Sequence, residues 1–177
     1  MTISLYEQRV LHETTDISLA VNEFRSSTYS ITYTPGQYLY VGMRCPFNNL
    51  WFEFGNSSHT DSGTPIVQVW FGRAWVNAAS VMDETSQMTS SGRIHWTLDW
   101  LKGWDIEKES EDVSGLTGTH IYDMYWLRIS WPSSFTKPIA YIGQVFSNDT
   151  TFKSHYPDLM QAQILDGYES GKTDWKE

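Results

Sequence analysis

The side chains able to carry out chemistry in this sequence are few and scattered. His59-Thr60-Asp61-Ser62 holds the three residue types of a hydrolytic triad. A nucleophile is activated only when the base sits between it and an orienting carboxylate, and neighbours in one turn cannot reach that arrangement. The segment reads as a polar loop. Asp83-Glu84, Asp99 and Asp105, with Trp100 and Trp104 nearby, are ingredients of glycoside hydrolysis, in which two carboxylates flank a sugar held on aromatic rings. Adjacent carboxylates on a strand point to opposite faces, so these read as solvated turn charges. The five histidines, His12, His59, His95, His120 and His155, show neither H-x-x-x-H nor H-E-x-x-H spacing. Cys45, the only cysteine, allows neither an intrachain disulfide nor a multi-cysteine zinc site. Gly115-Leu116-Thr117-Gly118-Thr119 lacks the lysine and the strand-to-helix setting of a phosphate loop. The expectation is a protein that is not an enzyme and holds no metal or cofactor.

The elements that must position any site are strands. Nine Trp, ten Tyr and eight Phe among 177 residues supply large burial areas and favour strand over helix. The length fits one domain with a single two-layer core. Period-two alternation broken by Gly, Pro, Asn, Asp and Ser clusters predicts an all-β protein, an antiparallel β-sandwich, with strands near 16–22, 28–34, 38–44, 49–55, 65–71, 92–98, 123–131 and 139–146. In the clearest of them Tyr125, Leu127, Ile129 and Trp131 point one way and Met124, Trp126, Arg128 and Ser130 the other. Phe71-Gly72-Arg73-Ala74-Trp75 predicts a hairpin turn leading into another short strand. The charged stretch 105–118 reads as a solvated excursion.

The character changes after the sandwich, expected over residues 1–146. In the segment 147–177, Tyr156, Met160, Ile164 and Tyr168 recur at i, i+4 behind Pro157 and Asp158 and ahead of Gly171-Lys172, which predicts a C-terminal α-helix with an apolar stripe. That stripe must dock on its own sandwich or on a neighbouring subunit.

Charge narrows the partners. Twelve Lys plus Arg against 21 Asp plus Glu give a net charge of -9, so a nucleic acid would be repelled. No apolar run approaches the roughly 20 residues that span a bilayer, and the first residues lack a signal-peptide pattern, so no membrane partner is expected. Trp70, Trp75, Trp96, Trp100, Trp104 and Trp126 exceed what one small core normally holds. Surplus rings serve either to stack on sugars, as in a carbohydrate-binding module, or to anchor subunit interfaces.

Several segments together resemble a group of small virion proteins encoded among the structural genes of tailed bacteriophages. They are Gln37-Tyr38-Leu39-Tyr40-Val41-Gly42, Pro46-Phe47-Asn48-Asn49-Leu50-Trp51-Phe52, Val69-Trp70-Phe71-Gly72-Arg73-Ala74-Trp75, and Asp83-Glu84-Thr85 followed by Ser91-Gly92-Arg93-Ile94. Further along come Ile121-Tyr122-Asp123-Met124-Tyr125-Trp126-Leu127-Arg128-Ile129, Tyr141-Ile142-Gly143-Gln144, Tyr156-Pro157-Asp158-Leu159 and Gly171-Lys172-Thr173-Asp174-Trp175. The resemblance covers most of residues 37–175. It implies a particle component made in the host cytoplasm, at the neck, collar or tail or as a capsid decoration, that works by packing against identical subunits and other virion proteins. It carries over no catalytic residues. Under that reading the expected subunit contacts are Trp100, Trp104, Tyr156, Met160, Ile164 and Tyr168, on a jelly-roll-like sandwich.

Overall fold

The computed structural model describes residues 8–21, 29–43, 46–55, 61–97, 104, 116 and 124–143, all within the unit Met1–Val145. Among these residues eleven strands build two antiparallel sheets. The first sheet holds β1 (Gln8–His12), β2 (Thr15–Asp16), β4 (Leu39–Met43), β6 (Ile66–Phe71), β7 (Ala74–Asn77) and β10 (Tyr125–Ser130), in the order β2-β1-β4-β10-β6-β7. The second holds β3 (Tyr29–Tyr33), β5 (Asn49–Phe54), β8 (Ala79–Asp83), β9 (Gly92–Thr97) and β11 (Phe135–Gly143), in the order β3-β11-β5-β9-β8. Pairing is nested: β3 lies against β11, β4 against β10 and β5 against β9, so the first half of the chain folds back along the second.

Alternation decides which side chains meet between the sheets. Leu127 and Ile129 of β10 are opposite Val69 and Val67 of β6 and Val41 and Leu39 of β4, and the β5 residues Leu50, Phe52 and Phe54 supply the second sheet's buried face. The rings of Tyr33, Phe52 and Phe135 gather around Trp131, at centroid distances of 5.3, 6.4 and 5.2 Å. Tyr33 at the end of β3 fastens this corner. Its hydroxyl donates to the Trp131 carbonyl (3.0 Å) and accepts the Trp131 N–H (2.9 Å), satisfying both backbone groups of a buried residue just beyond β10.

Seven of the eight predicted strands coincide with observed ones, and the turn at Gly72-Arg73 joins β6 to β7 as an antiparallel hairpin. The predicted strand at 16–22 is not one. After Thr15–Asp16 the chain turns into a short helix, α1 (Ser18–Val21), in which Leu19 is 81% exposed. The cause is local: the Asp16 carboxylate accepts the Ser18 N–H at 2.8 Å and caps the turn, and the Ser18 side chain is tied to Val10. Besides the two-residue β2, two strands escaped the alternation. In β1 both Val10 and Leu11 are buried, one on each face, and in β8 the register with β9 is irregular between Ala79 and Met82. The last strand also begins earlier than expected, at Phe135. The expected C-terminal helix, the segment 147–177 with Tyr156, Met160, Ile164 and Tyr168, and Trp100 lie outside the described residues.

Candidate functional site

The outward face of the first sheet carries a second aromatic layer. Strand register builds it row by row. Leu11, Tyr40, Arg128, Gln68 and Asn77 stand in one row across β1, β4, β10, β6 and β7. Gly42 faces Trp126 in a neighbouring row, and Trp70 faces Trp75 across the hairpin. Leu11, Tyr40, Trp70, Trp126, Met124 and Leu116 form a buried cluster there, with Tyr38 and Trp75 packed against its rim. The ring of Trp126 is fully buried and lies across Gly42, where an added Cβ would come within 2.8 Å of it. Only glycine leaves room for that ring.

Arg128 is the charged residue at the centre of this face. Its guanidinium stacks over Tyr38 at 4.0 Å and Trp75 at 4.8 Å. Its Nε donates to Gln68 Oε1 (2.7 Å), and Gln68 Nε2 donates onward to Asn77 Oδ1 (2.8 Å), at the exposed edge of the sheet. Tyr38 is held by reciprocal backbone contacts with Glu13, whose N–H donates to the Tyr38 carbonyl at 3.0 Å and whose carboxylate accepts the Tyr38 N–H. Burial pushes the Tyr40 phenol above its ordinary range, and the neighbouring Arg128 opposes that rise. Such a face has aromatic walls, a guanidinium fixed by stacking and a terminal amide, with Arg9 in the neighbouring row beside Gly42, which are groups suited to recognition.

Of the six surplus tryptophans, Trp70, Trp96 and Trp126 are buried, Trp75 and Trp104 are half-buried, and Trp100 lies outside the described residues. Trp96 packs edge-on to Phe47 in the core at 5.7 Å. Trp104, expected at a subunit contact, is engaged within its own chain: its Nε1 donates to the Trp126 carbonyl (2.9 Å) and its ring lies 4.8 Å from Phe47. The sequence signal for this second layer was present in Trp70 and Trp126, each on the strand face opposite the main core.

The acid and hydroxyl residues singled out by type have structural partners. Asp83 accepts from Thr85 N–H (2.8 Å), Thr85 Oγ1 (2.5 Å) and Gln87 N–H (2.9 Å), capping a turn in which Ser86, Gln87 and Met88 are all left-handed, with φ of 51°, 59° and 64°. Glu84 receives Arg93 in a two-pronged pair at 3.0 and 2.9 Å. Ser62 is buried with its hydroxyl donating to Gln87 O (2.8 Å), while Asp61 is exposed and accepts the Gly63 N–H. His59, Asp99 and Asp105 lie outside the described residues. Among the described residues no group of three or more His, Cys, Asp or Glu converges on a point, and no helix is long and apolar enough to cross a membrane. Comparison with known protein families, with curated proteins and with solved structures finds no match to this chain.

Proposed function

We propose that this protein is a structural component of a tailed-bacteriophage virion, a neck or collar protein or a tail protein, acting by assembly of subunits. The observation that carries the reading is how the chain deploys its side chains. Among the described residues, most of those with the look of a site are engaged internally: Trp70, Trp96 and Trp126 are buried, Asp83 and Ser62 serve turns, and Glu84 is paired. What is presented outward among the described residues is apolar side chains such as Ile66 and Met82, 50% and 58% exposed, and an edge strand of the second sheet, β3. These are resources for packing against other subunits. The nested strand pairing agrees with a jelly roll, an architecture shared by capsid and lectin domains. In this reading the segment 147–177 forms a helix whose stripe of Tyr156, Met160, Ile164 and Tyr168 clasps a neighbour, and Trp100 joins that contact.

A ring at the neck repeats one head-to-tail contact that closes on itself, whereas a shell decoration must meet many quasi-equivalent sites, so neck or collar is favoured over the capsid surface. The net charge of -9 lets such a ring surround a DNA channel without gripping the genome. Mass spectrometry of purified particles tests membership, and cryo-electron microscopy tests placement. Peptides of this chain are expected in the particle, with density confined to the portal vertex or tail. Absence from the particle overturns the virion role, and density on every capsomer overturns the placement.

A second reading, carbohydrate binding, is favoured by the half-buried Tyr38 and Trp75 beside Gln68 and the exposed Asn77. Oligosaccharide arrays separate the two. The structural role predicts nothing tighter than about millimolar, or roughly -4 kcal/mol, and a micromolar hit lost in Trp75→Ala would establish the alternative.

A further inference from the structure

Among the described residues, strand β3 ends the second sheet and its one ladder is to β11. The side of β3 away from β11 has a definite hydrogen-bonding content, and Pro138 reveals it. Ser30 is opposite Pro138, which has no N–H and whose carbonyl accepts from Gly55 N–H at 3.0 Å on the β5 side. That pair is therefore of the non-hydrogen-bonded kind. Alternation along an antiparallel ladder then assigns Tyr29, Ile31 and Tyr33 to β11, and turns the N–H and C=O groups of Ser30 and Thr32 to the open side.

Natural sheets blunt such edges with shortness, charge, proline or bulges. The other three edges follow that rule. β2 has two residues and ends in Asp16, β7 has four and follows Arg73, and β8 is irregular in register around Ser80 (φ 51°) and ends in Asp83. β3 has none of these features: it is five uncharged residues, without proline, in unbroken register with β11.

Its sequence, Tyr29-Ser30-Ile31-Thr32-Tyr33, also reads nearly the same in both directions. Antiparallel pairing of two copies centred on Ile31 sets Tyr29 against Tyr33, Ser30 against Thr32 and Ile31 against Ile31. The outward N–H and C=O groups of Ser30 and Thr32 then meet in hydrogen-bonded pairs. Exposed hydroxyl side chains face each other on the outer surface, and Ile31 and Tyr33 remain in their own cores. In a chain of net charge -9, an uncharged strand is also where two copies approach with least repulsion.

We propose that β3 is a self-pairing edge, through which two copies of this chain join in antiparallel register centred on Ile31 and merge their second sheets into one continuous sheet. This deepens the assembly reading above by naming the surface on which copies meet.

Sedimentation of the full chain over a concentration series tests it. Two doubly substituted chains, Ser30→Lys with Thr32→Lys and Ser30→Asp with Thr32→Asp, each place like charges opposite one another across the proposed pairing. Each is expected to associate at least roughly tenfold more weakly than wild type. Mixed, the two chains bring opposite charges face to face and should recover a dimer, which misfolded variants would not do. Thr32→Pro, which deletes one outward N–H, should likewise lose the dimer while circular dichroism keeps the β signal. Wild type that stays monomeric, variants that associate like wild type, or a mixture that recovers nothing would each overturn the edge. Particle proteomics is read separately: a chain found in virions but indifferent to these substitutions defeats the edge alone, and a charge-dependent dimer absent from virions defeats the virion role alone.

Discussion

The contact between Gly42 and Trp126 allows the second aromatic layer to be tested quantitatively. A Cβ at Gly42 would lie 2.8 Å from Trp126 Cζ3 and 2.9 Å from Cε3 and Cη2, so three ring atoms obstruct one methyl group. The ring is fully buried, in a cluster with Met124, Leu116 and Trp70, and has little room to yield. Gly42→Ala should therefore cost about 1–3 kcal/mol, the range for overpacking a filled core, equivalent to a fall in Tm of roughly 2–12 °C for a chain of this length. In a Trp126→Leu background the obstruction is gone. There the same Gly42→Ala change should be neutral or stabilising by about 0.4–1 kcal/mol, because alanine restricts the unfolded chain. The cycle predicts a coupling energy of about 1–4 kcal/mol between two residues facing each other on adjacent strands. Urea unfolding followed by far-UV circular dichroism measures all four corners without relying on tryptophan emission. An equal cost of Gly42→Ala in both backgrounds would refute the placement of the ring over the glycine.

Three further outcomes follow from single sites. Tyr33→Phe removes the hydroxyl that satisfies both backbone groups of Trp131, and should cost about 1–3 kcal/mol in chemical unfolding; a loss under about 0.5 kcal/mol would mean those groups are solvated instead. Asp83→Ala removes the cap of three successive left-handed residues, with an expected loss of about 1–2 kcal/mol and faster amide exchange at Ser86, Gln87 and Met88; unchanged exchange would contradict the cap. Lys137 is buried opposite Ile31, and burial lowers its pKa below 10.5 with Asp61 opposing. The unfolded chain then binds the proton more readily, so stability contributed by this site rises with pH between the lowered folded value and 10.5. Unfolding measured against pH should show Lys137→Met lacking that rise, and parallel profiles would disprove it.

The sequence by itself determined the all-β class and most of the strands, because Leu127-x-Ile129-x-Trp131 and Val67-x-Val69-x-Phe71 can bury one face only as extended chain. It also determined the Gly72 hairpin, since φ there is 59°, and glycine meets the left-handed requirement without a Cβ clash. It failed where burial was two-sided or local capping prevailed. In β1 Val10 and Leu11 are buried on opposite faces without alternation, and Asp16 and Ser18 turned an apparent strand into a helical turn. The face bearing Arg128 depended on tertiary structure. Tyr38, Tyr40, Gln68, Trp75 and Arg128 come from four separate segments, and only the order β4-β10-β6-β7 brings them together. The surplus tryptophans were legible as a number but not as a destination: whether a ring opposite the core is exposed or covered depends on which distant residues, here Met124 and Leu116, pack over it. The open side of β3 had the same dependence. Its palindromic sequence is readable from the chain, but only pairing with Pro138 decides which of its backbone groups face outward, because hydrogen-bond direction in a strand is set by its neighbour and not by its own residues.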